Sequence, residues 1–193
     1  LMGWHDLDGD RTPELVVVND HGIQVRSNRV WAFNGTDFED IGAELGLEAA
    51  IDGMGLGVGD LDGDLQPDLL ITDWGSVSLF ESEGGIYADT ALARGLTPPQ
   101  GAQVAWGADL ADLDNDADLD VVVNFGFWEL YGVVDASNPE SQPDAVWLQD
   151  ADGRFSEVAS EWGVDHAGAS RGLVVTDLDG DGAEELFFEA DAG

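Results

Sequence analysis

Cysteine and lysine are both absent from this chain of 193 residues, and each absence narrows what the protein can be. Without cysteine there is neither a disulfide scaffold nor a cysteine-ligated zinc site, and the redox compartment stays undetermined. The six basic residues are all arginine and face 41 acidic residues, so the formal net charge is −35. A surface of this sign repels phosphate backbones and anionic membranes. We therefore expect no nucleic-acid partner.

Long apolar runs are also missing. No stretch approaches the roughly 18 residues that a membrane-spanning helix needs, so we expect no membrane insertion in this segment. The opening residues, "LMGWHDLDGD", lack the basic and apolar regions of a signal peptide. They begin with Leu rather than Met, and we expect the native N-terminus to lie upstream. The apolar fraction of 44% is nevertheless that of a folded protein.

A nine-residue acidic pattern occurs four times along the chain. It reads "DLDGDRTPE" at 6–14, "DLDGDLQPD" at 60–68, "DLDNDADLD" at 112–120 and "DLDGDGAEE" at 177–185. Each copy carries an acid at positions 1, 3, 5 and 9, and each runs directly into apolar residues. Recurrence at intervals of about 50 residues is the signature of a repeat architecture.

The segments between these loops also repeat and predict four short strand-like pieces in each unit. Four-stranded units at this period predict an all-β fold, a β-propeller of four-stranded blades, with a β-sandwich as the alternative. We interpret residues 1–193 as a single partial propeller domain of about three and a half blades. The predicted repeats are 1–52, 53–103, 104–168 and 169–193, with a surface insertion within 124–146.

The acidic loops have the chemistry of calcium sites. Calcium takes six to eight oxygen ligands, and acids at positions 1, 3 and 5 of a tight turn converge on one point. We expect the position-7 backbone carbonyl and the position-9 acid to complete each shell, with about four Ca²⁺ per chain. The predicted carboxylate ligands are Asp6, Asp8, Asp10, Glu14, Asp60, Asp62, Asp64, Asp68, Asp112, Asp114, Asp116, Asp120, Asp177, Asp179, Asp181 and Glu185. The predicted carbonyl ligands belong to Thr12, Gln66, Asp118 and Ala183.

An EF-hand loop begins similarly but does not fit. It needs Gly at position 6 and Glu at position 12. Position 6 holds Arg11, Leu65, Ala117 and Gly182, and position 12 falls on Val17, Ile71, Val123 and Phe188. Magnesium stays open as an alternative, although it usually keeps more water, whereas zinc and copper normally recruit His or Cys.

These loops resemble those of the FG-GAP/VCBS repeats, which also occur in integrin α-chain propellers. The stretch "GMGLGVGDLDGDLQPDLLITDWGSVSLFESEGGIYADTALARGL" is most similar to the ASPIC/UnbV, or cartilage-acidic-protein-like, branch. The resemblance implies a seven-bladed type of propeller, calcium in the hairpin between the first two strands of each blade, and an extracellular or cell-surface location. The second and third loops match the family pattern, whereas the first and fourth end in the longer Glu14 and Glu185.

The function predicted from these features is a calcium-binding extracellular propeller for adhesion, assembly or protein interaction, without catalysis. The alternatives are a propeller domain of a polysaccharide-acting, lyase-like enzyme and a carbohydrate-binding module that uses Trp74 and Trp128. Most of the seven Trp are expected to pack between blades. Half a propeller would leave a blade face uncovered, so we expect the remainder of its own propeller or a partner chain to complete the ring. The acidity that calcium would not offset predicts a high-salt environment.

Overall fold

The computed structural model describes residues 1–99, 104–126, 142–165 and 168–190. These residues form short strands and one-turn helices. In chain order they are β1 (Met2–His5), β2 (Glu14–Val17), β3 (Arg29–Phe33), β4 (Phe38–Asp40), α1 (Gly42–Leu45), β5 (Leu56–Gly59), β6 (Asp68–Thr72), β7 (Val77–Glu83), β8 (Ile86–Asp89), α2 (Ala91–Arg94), β9 (Ala105–Ala111), β10 (Asp120–Phe125), β11 (Ala145–Gln149), β12 (Phe155–Glu157), α3 (Ala159–Trp162), β13 (Ser170–Thr176) and β14 (Glu185–Ala190).

The strands make four separate antiparallel sheets that follow one another along the chain. The first three sheets have four strands each, in the orders β1-β2-β3-β4, β5-β6-β7-β8 and β9-β10-β11-β12, and the fourth consists of β13 and β14. Neighbours in sequence are therefore neighbours in each sheet, as in propeller blades. This confirms the predicted all-β fold of about three and a half blade-like sheets. Each sheet lies inside one predicted repeat, while the repeat boundaries and the single domain stay predictions.

The second strand of each complete sheet lies at the centre of the packing. Every residue of β6 and of β10 is buried, although both strands begin with an aspartate. A strand that is covered on both faces usually has a continuous run of apolar residues. The sequences "DLLIT" and "DVVVNF" contain such runs. Alternate side chains of these strands enter different core clusters, because successive residues point to opposite faces of a sheet.

Three one-turn helices follow the outer strands of the complete sheets. The prediction of strand-like pieces is wrong for these residues. Each helix ends at a glycine with a left-handed backbone, namely Gly46, Gly95 or Gly163. A glycine C-cap is a common helix stop because no Cβ opposes positive φ. None of the helices in the described part of the chain has the length and apolar character needed to cross a bilayer.

The tryptophans divide between core and surface. Trp147 is buried in the core between the second and third sheets, as predicted. Trp4 and Trp162 are exposed in the described part of the chain. Trp128 and most of the predicted insertion lie outside the described residues.

Candidate metal-binding loops

The four acidic loops occupy equivalent places in the four sheets. Each joins the first two strands of its sheet, and its ninth residue is the first residue of the second strand. Thus Glu14 opens β2, Asp68 opens β6, Asp120 opens β10 and Glu185 opens β14. The predicted position of the loops, in the hairpin between the first two strands of each blade, matches this arrangement.

Positive φ angles at two positions bend the loop backbone. Position 4 holds Gly9, Gly63, Asn115 and Gly180, with φ of 76°, 76°, 62° and 78°. Position 6 holds Arg11, Leu65, Ala117 and Gly182, with φ of 73°, 70°, 79° and 93°. Gly and Asn tolerate the left-handed region, whereas in Arg, Leu and Ala the Cβ atom lies too close to the backbone and this conformation is unfavourable. The position that departs from the EF-hand pattern therefore has a left-handed backbone in all four loops.

Backbone amides hold the carboxylates at positions 1 and 5. The position-6 N–H donates to the position-1 carboxylate: Arg11 to Asp6 at 2.9 Å, and Leu65 to Asp60, Ala117 to Asp112 and Gly182 to Asp177 at 3.0 Å. The position-7 N–H donates to the position-5 carboxylate: Thr12 to Asp10 at 2.6 Å, Gln66 to Asp64 at 2.8 Å, Asp118 to Asp116 at 2.9 Å and Ala183 to Asp181 at 2.9 Å. These bonds fix the two carboxylates with their remaining lone pairs free for a cation.

The acid at position 9 is bound in the same way in every loop. It accepts the N–H of the leucine at position 2: Leu7 to Glu14 at 2.8 Å, Leu61 to Asp68 at 2.9 Å, Leu113 to Asp120 at 2.8 Å and Leu178 to Glu185 at 2.7 Å. The other oxygen of Asp68 accepts Ser82 N–H at 3.1 Å, and that of Asp120 accepts Gln149 N–H at 2.8 Å. Position 9 thus ties the loop to its sheet.

Three carboxylates converge in each loop, with one ligand atom from each residue lying within 4.8 Å of the others. The groups are Asp6, Asp8 and Asp10 in the first loop, Asp60, Asp62 and Asp68 in the second, Asp112, Asp114 and Asp120 in the third, and Asp177, Asp179 and Glu185 in the fourth. The predicted carboxylate ligands outside these groups are Glu14, Asp64, Asp116 and Asp181. At position 7, the side chain of Gln66 accepts a hydrogen bond from Ser82 Oγ at 2.8 Å, so it faces the third strand.

Burial makes the charge at position 9 of the first three loops costly without a cation. Desolvation raises the pKa of Asp68 from 3.8 to about 6, and it also raises the pKa values of Glu14 and Asp120. Neighbouring carboxylates raise these pKa values further, namely other acids of the same loop and, for Asp68, also Glu81 on β7. Arg94 lines the same cavity as Asp60, but its Nη1 is already paired with Glu81 Oε1 at 2.6 Å.

The oxygen donors of the loops have the chemistry that calcium prefers. Each converging group consists of carboxylate oxygens alone, which suits a hard cation that takes many oxygen ligands. Oδ1 of Asp6 is buried and has no hydrogen-bond partner, although buried polar atoms are normally paired. A cation held by the first loop would satisfy this atom. The residues present therefore fit Ca²⁺.

Contacts between neighbouring sheets, which the sequence pattern does not predict, also reach these loops. The buried hydroxyl of Tyr87 lies 2.9 Å from Pro67 O in the second loop and 3.3 Å from Leu7 O in the first. In the next sheet, Gln149 Nε2 donates to Leu61 O at 3.3 Å. The position-2 leucine thus donates its N–H within its own loop, and in the first two loops its carbonyl also contacts the following sheet. The sequence "DLD", which all four loops share, is the feature that could have indicated a structural role for this leucine.

The family model described as FG-GAP-like repeat matches residues 6–71 and again residues 60–123. The matches begin at position 1 of the first and second loops, and together they extend over more than half of the chain. The chain belongs to the FG-GAP-like repeat family. This confirms the predicted family, whereas the ASPIC/UnbV branch stays a prediction. No curated protein matched the FG-GAP-like chain.

Trp74 and Trp128 are the two tryptophans predicted to contact a ligand. Trp74 follows β6 and is exposed, which suits a stacking platform, and its backbone N–H donates to Asp73 Oδ1 at 2.6 Å. Trp128 lies outside the described residues. Glycan binding therefore stays a prediction.

Proposed function

We propose that this FG-GAP-like chain is a calcium-binding, non-enzymatic propeller module that acts outside the cell in adhesion, assembly or protein interaction. The observation that carries the proposal is the convergence of three carboxylates in each of four equivalent loops. Like charges gathered this closely repel one another unless a cation neutralises them. Metal binding is then coupled to folding, because the unfolded chain has no preformed site.

The proposed ligands act mainly through structure. In the second loop, the carboxylates of Asp60 at position 1 and Asp62 at position 3 would hold the ion. Asp68 would supply a further oxygen and would link the ion to the second strand of the sheet. When bound, calcium supplies positive charge that offsets the repulsion within the loop. The loop then holds the two strands in register, and the sheets present their outer surfaces to a partner. Extracellular fluid, where calcium is abundant, suits such a role.

The experiment is thermal unfolding of the purified chain in excess chelator, in calcium and in magnesium. We expect calcium to raise the melting temperature strongly, and magnesium to raise it less because magnesium prefers fewer protein ligands. Asp60→Ala with Asp62→Ala should reduce the calcium response. A matched double variant outside the loops, Asp37→Ala with Glu39→Ala, should leave the response unchanged. Equal melting temperatures in calcium and chelator would refute the proposal.

A further inference from the structure

The second and third acidic loops line one cavity between their two sheets. The cavity has a volume of about 420 Å³, and its walls include Asp60 and Asp62 of the second loop, Asp118 of the third loop, and residues 149–153 at and after the end of β11. The stacking of the two sheets therefore brings two candidate metal sites to the same place. A residue that contacts both loops can make the state of one loop felt by the other.

Gln149 is such a residue. Its backbone N–H donates to Oδ1 of Asp120 at 2.8 Å, and Asp120 is one of the converging carboxylates of the third loop. Its side-chain Nε2 donates to the carbonyl of Leu61 in the second loop at 3.3 Å. The N–H of Leu61 in turn donates to Oδ2 of Asp68, a converging carboxylate of the second loop, at 2.9 Å. Hydrogen bonds through Gln149 thus connect a proposed ligand of one loop to a proposed ligand of the other.

The side chain of Gln149 is held in one orientation. Gln149 is 6% exposed, and its Oε1 accepts a hydrogen bond from Nη2 of Arg94. Nη1 of Arg94 pairs with Oε1 of Glu81 at 2.6 Å, and the guanidinium carbon lies 5.4 Å from the ring centre of Phe155. Because a guanidinium can only donate, Arg94 fixes the amide oxygen on its own side and directs Nε2 toward the second loop.

We propose that Gln149 couples the second and third loops, so that calcium in either loop strengthens calcium binding in the other. This inference rests on the proposed calcium-binding function. Without a cation, repulsion among the carboxylates of a loop favours their separation. An ion in the third loop holds Asp120 in place, and Asp120 holds Gln149. Gln149 then holds Leu61, whose N–H orients Asp68 for an ion in the second loop.

Charge acts in the opposite sense across the cavity. An ion in one loop reduces the negative potential at the other loop, and this weakens calcium binding there. Salt screens this effect between exposed carboxylates. A test of the hydrogen-bonded connection must therefore compare loops of equal net charge.

NMR titration with calcium follows the two loops separately in the ¹⁵N-labelled chain. The reporters are the position-5 amides: Asp64 N–H donates to Asp60 Oδ1, and Asp116 N–H donates to Asp112 Oδ1, each at 3.1 Å. Because each amide contacts a proposed calcium ligand, its chemical shift should change when its own loop fills. The midpoint of each titration then gives the calcium affinity of one loop.

Two double variants disable one loop each. Asp112→Asn with Asp114→Asn disables the third loop, and Asp60→Asn with Asp62→Asn disables the second. Each pair removes two negative charges, which equals the change that a bound Ca²⁺ makes to the net charge of a loop. Loss of the stronger loop should raise the calcium midpoint of the weaker loop about fivefold. Binding linkage is reciprocal, so the two variants together reveal the coupling whichever loop is stronger.

Gln149→Met tests the residue itself. Methionine is uncharged and similar in length, and it keeps the backbone N–H that Asp120 accepts while it removes the side-chain bond to Leu61. In this background, disabling either loop should change the midpoint of the other by less than about twofold. Tyr87→Phe is the matched control, because the hydroxyl of Tyr87 lies between the first and second loops. It should leave the coupling of the second and third loops intact.

The outcomes separate this inference from the function on which it rests. If calcium shifts neither reporter amide, the proposed function is refuted and the coupling with it. If calcium shifts both amides but neither midpoint responds to loss of the other loop, calcium binding stands and the coupling is overturned. Coupling that survives in Gln149→Met would overturn the role of Gln149. Dispersed spectra check that each variant folds, and the wild type with the two loop variants still decides the coupling if Gln149→Met does not fold.

Discussion

Asp68 is where the loop chemistry can be tested most sharply, by changing it to Asn in calcium-free protein. Desolvation raises the pKa of Asp68 from 3.8 to about 6 in the folded chain. An acid with a raised folded-state pKa destabilises the fold above that pKa, and the penalty is relieved as the pH falls toward the unfolded-state pKa. At about pH 7, this difference in pKa corresponds to roughly 3 kcal/mol against folding.

Lowering the pH from about 7 to about 5 should return roughly 1 kcal/mol of this penalty, because the folded chain protonates Asp68 before the unfolded chain does. Asp68→Asn abolishes this titration. When the pH falls from about 7 to about 5, the free energy of unfolding of the variant should therefore rise by roughly 1 kcal/mol less than that of the wild type. Urea unfolding in excess chelator at the two pH values measures the difference. Comparing the two proteins cancels the opposing contribution of His5, whose pKa is lowered by burial.

Asp64→Asn is the matched control, since it removes one charge from the same loop at an exposed position. It should keep the wild-type dependence on pH. In calcium the trend should reverse for the wild type, because protons compete with the ion for the carboxylates. If chelated wild type and Asp68→Asn respond equally to pH, the account of a costly buried carboxylate is wrong.

Three further predictions concern the loop backbone, the contact between sheets and the core. Leu65→Gly should raise the free energy of unfolding by about 0.5–1 kcal/mol, because φ at Leu65 is 70° and glycine tolerates this angle. Gly63→Ala should lower the free energy of unfolding by about 1 kcal/mol, because φ at Gly63 is 76°. Equal effects of the two substitutions in urea unfolding would contradict this reasoning. Tyr87→Phe should cost about 1–3 kcal/mol by leaving the carbonyl of Pro67 without its buried donor, and an unchanged urea midpoint would show that the hydroxyl is dispensable. Trp147→Ala should cost about 3–5 kcal/mol in the same assay, and a loss below 1 kcal/mol would place Trp147 outside the core.

The repeated acidic pattern made the sheets and the position of the loops predictable. Acids at alternate positions, followed by β-branched and apolar residues, determine both the turn and the strand that it starts. The small helices were missed because four residues are too few for a helical period, and only the glycine stops such as Gly46 marked them. Contacts such as Tyr87 with Leu7 could not be predicted, because they join residues 80 apart through the stacking of two sheets.

The ligand set was predicted less completely than the loops. Sequence spacing alone treats positions 1, 3, 5 and 9 alike. In the structure the loops differ, since Asp10 joins the converging group of the first loop and Asp68 joins that of the second. The backbone N–H bonds do not explain this difference, because Asp10 accepts the N–H of Thr12 just as Asp64 accepts that of Gln66.

The most direct test of the account is calorimetric titration of chelator-stripped protein with calcium, with a melting curve at each step. Four equivalent loops of converging carboxylates predict uptake of about four ions per chain and a progressive rise in melting temperature. Absence of uptake with an unchanged melting curve would mean that the acids are only hydrated surface, and the calcium-binding function would be wrong.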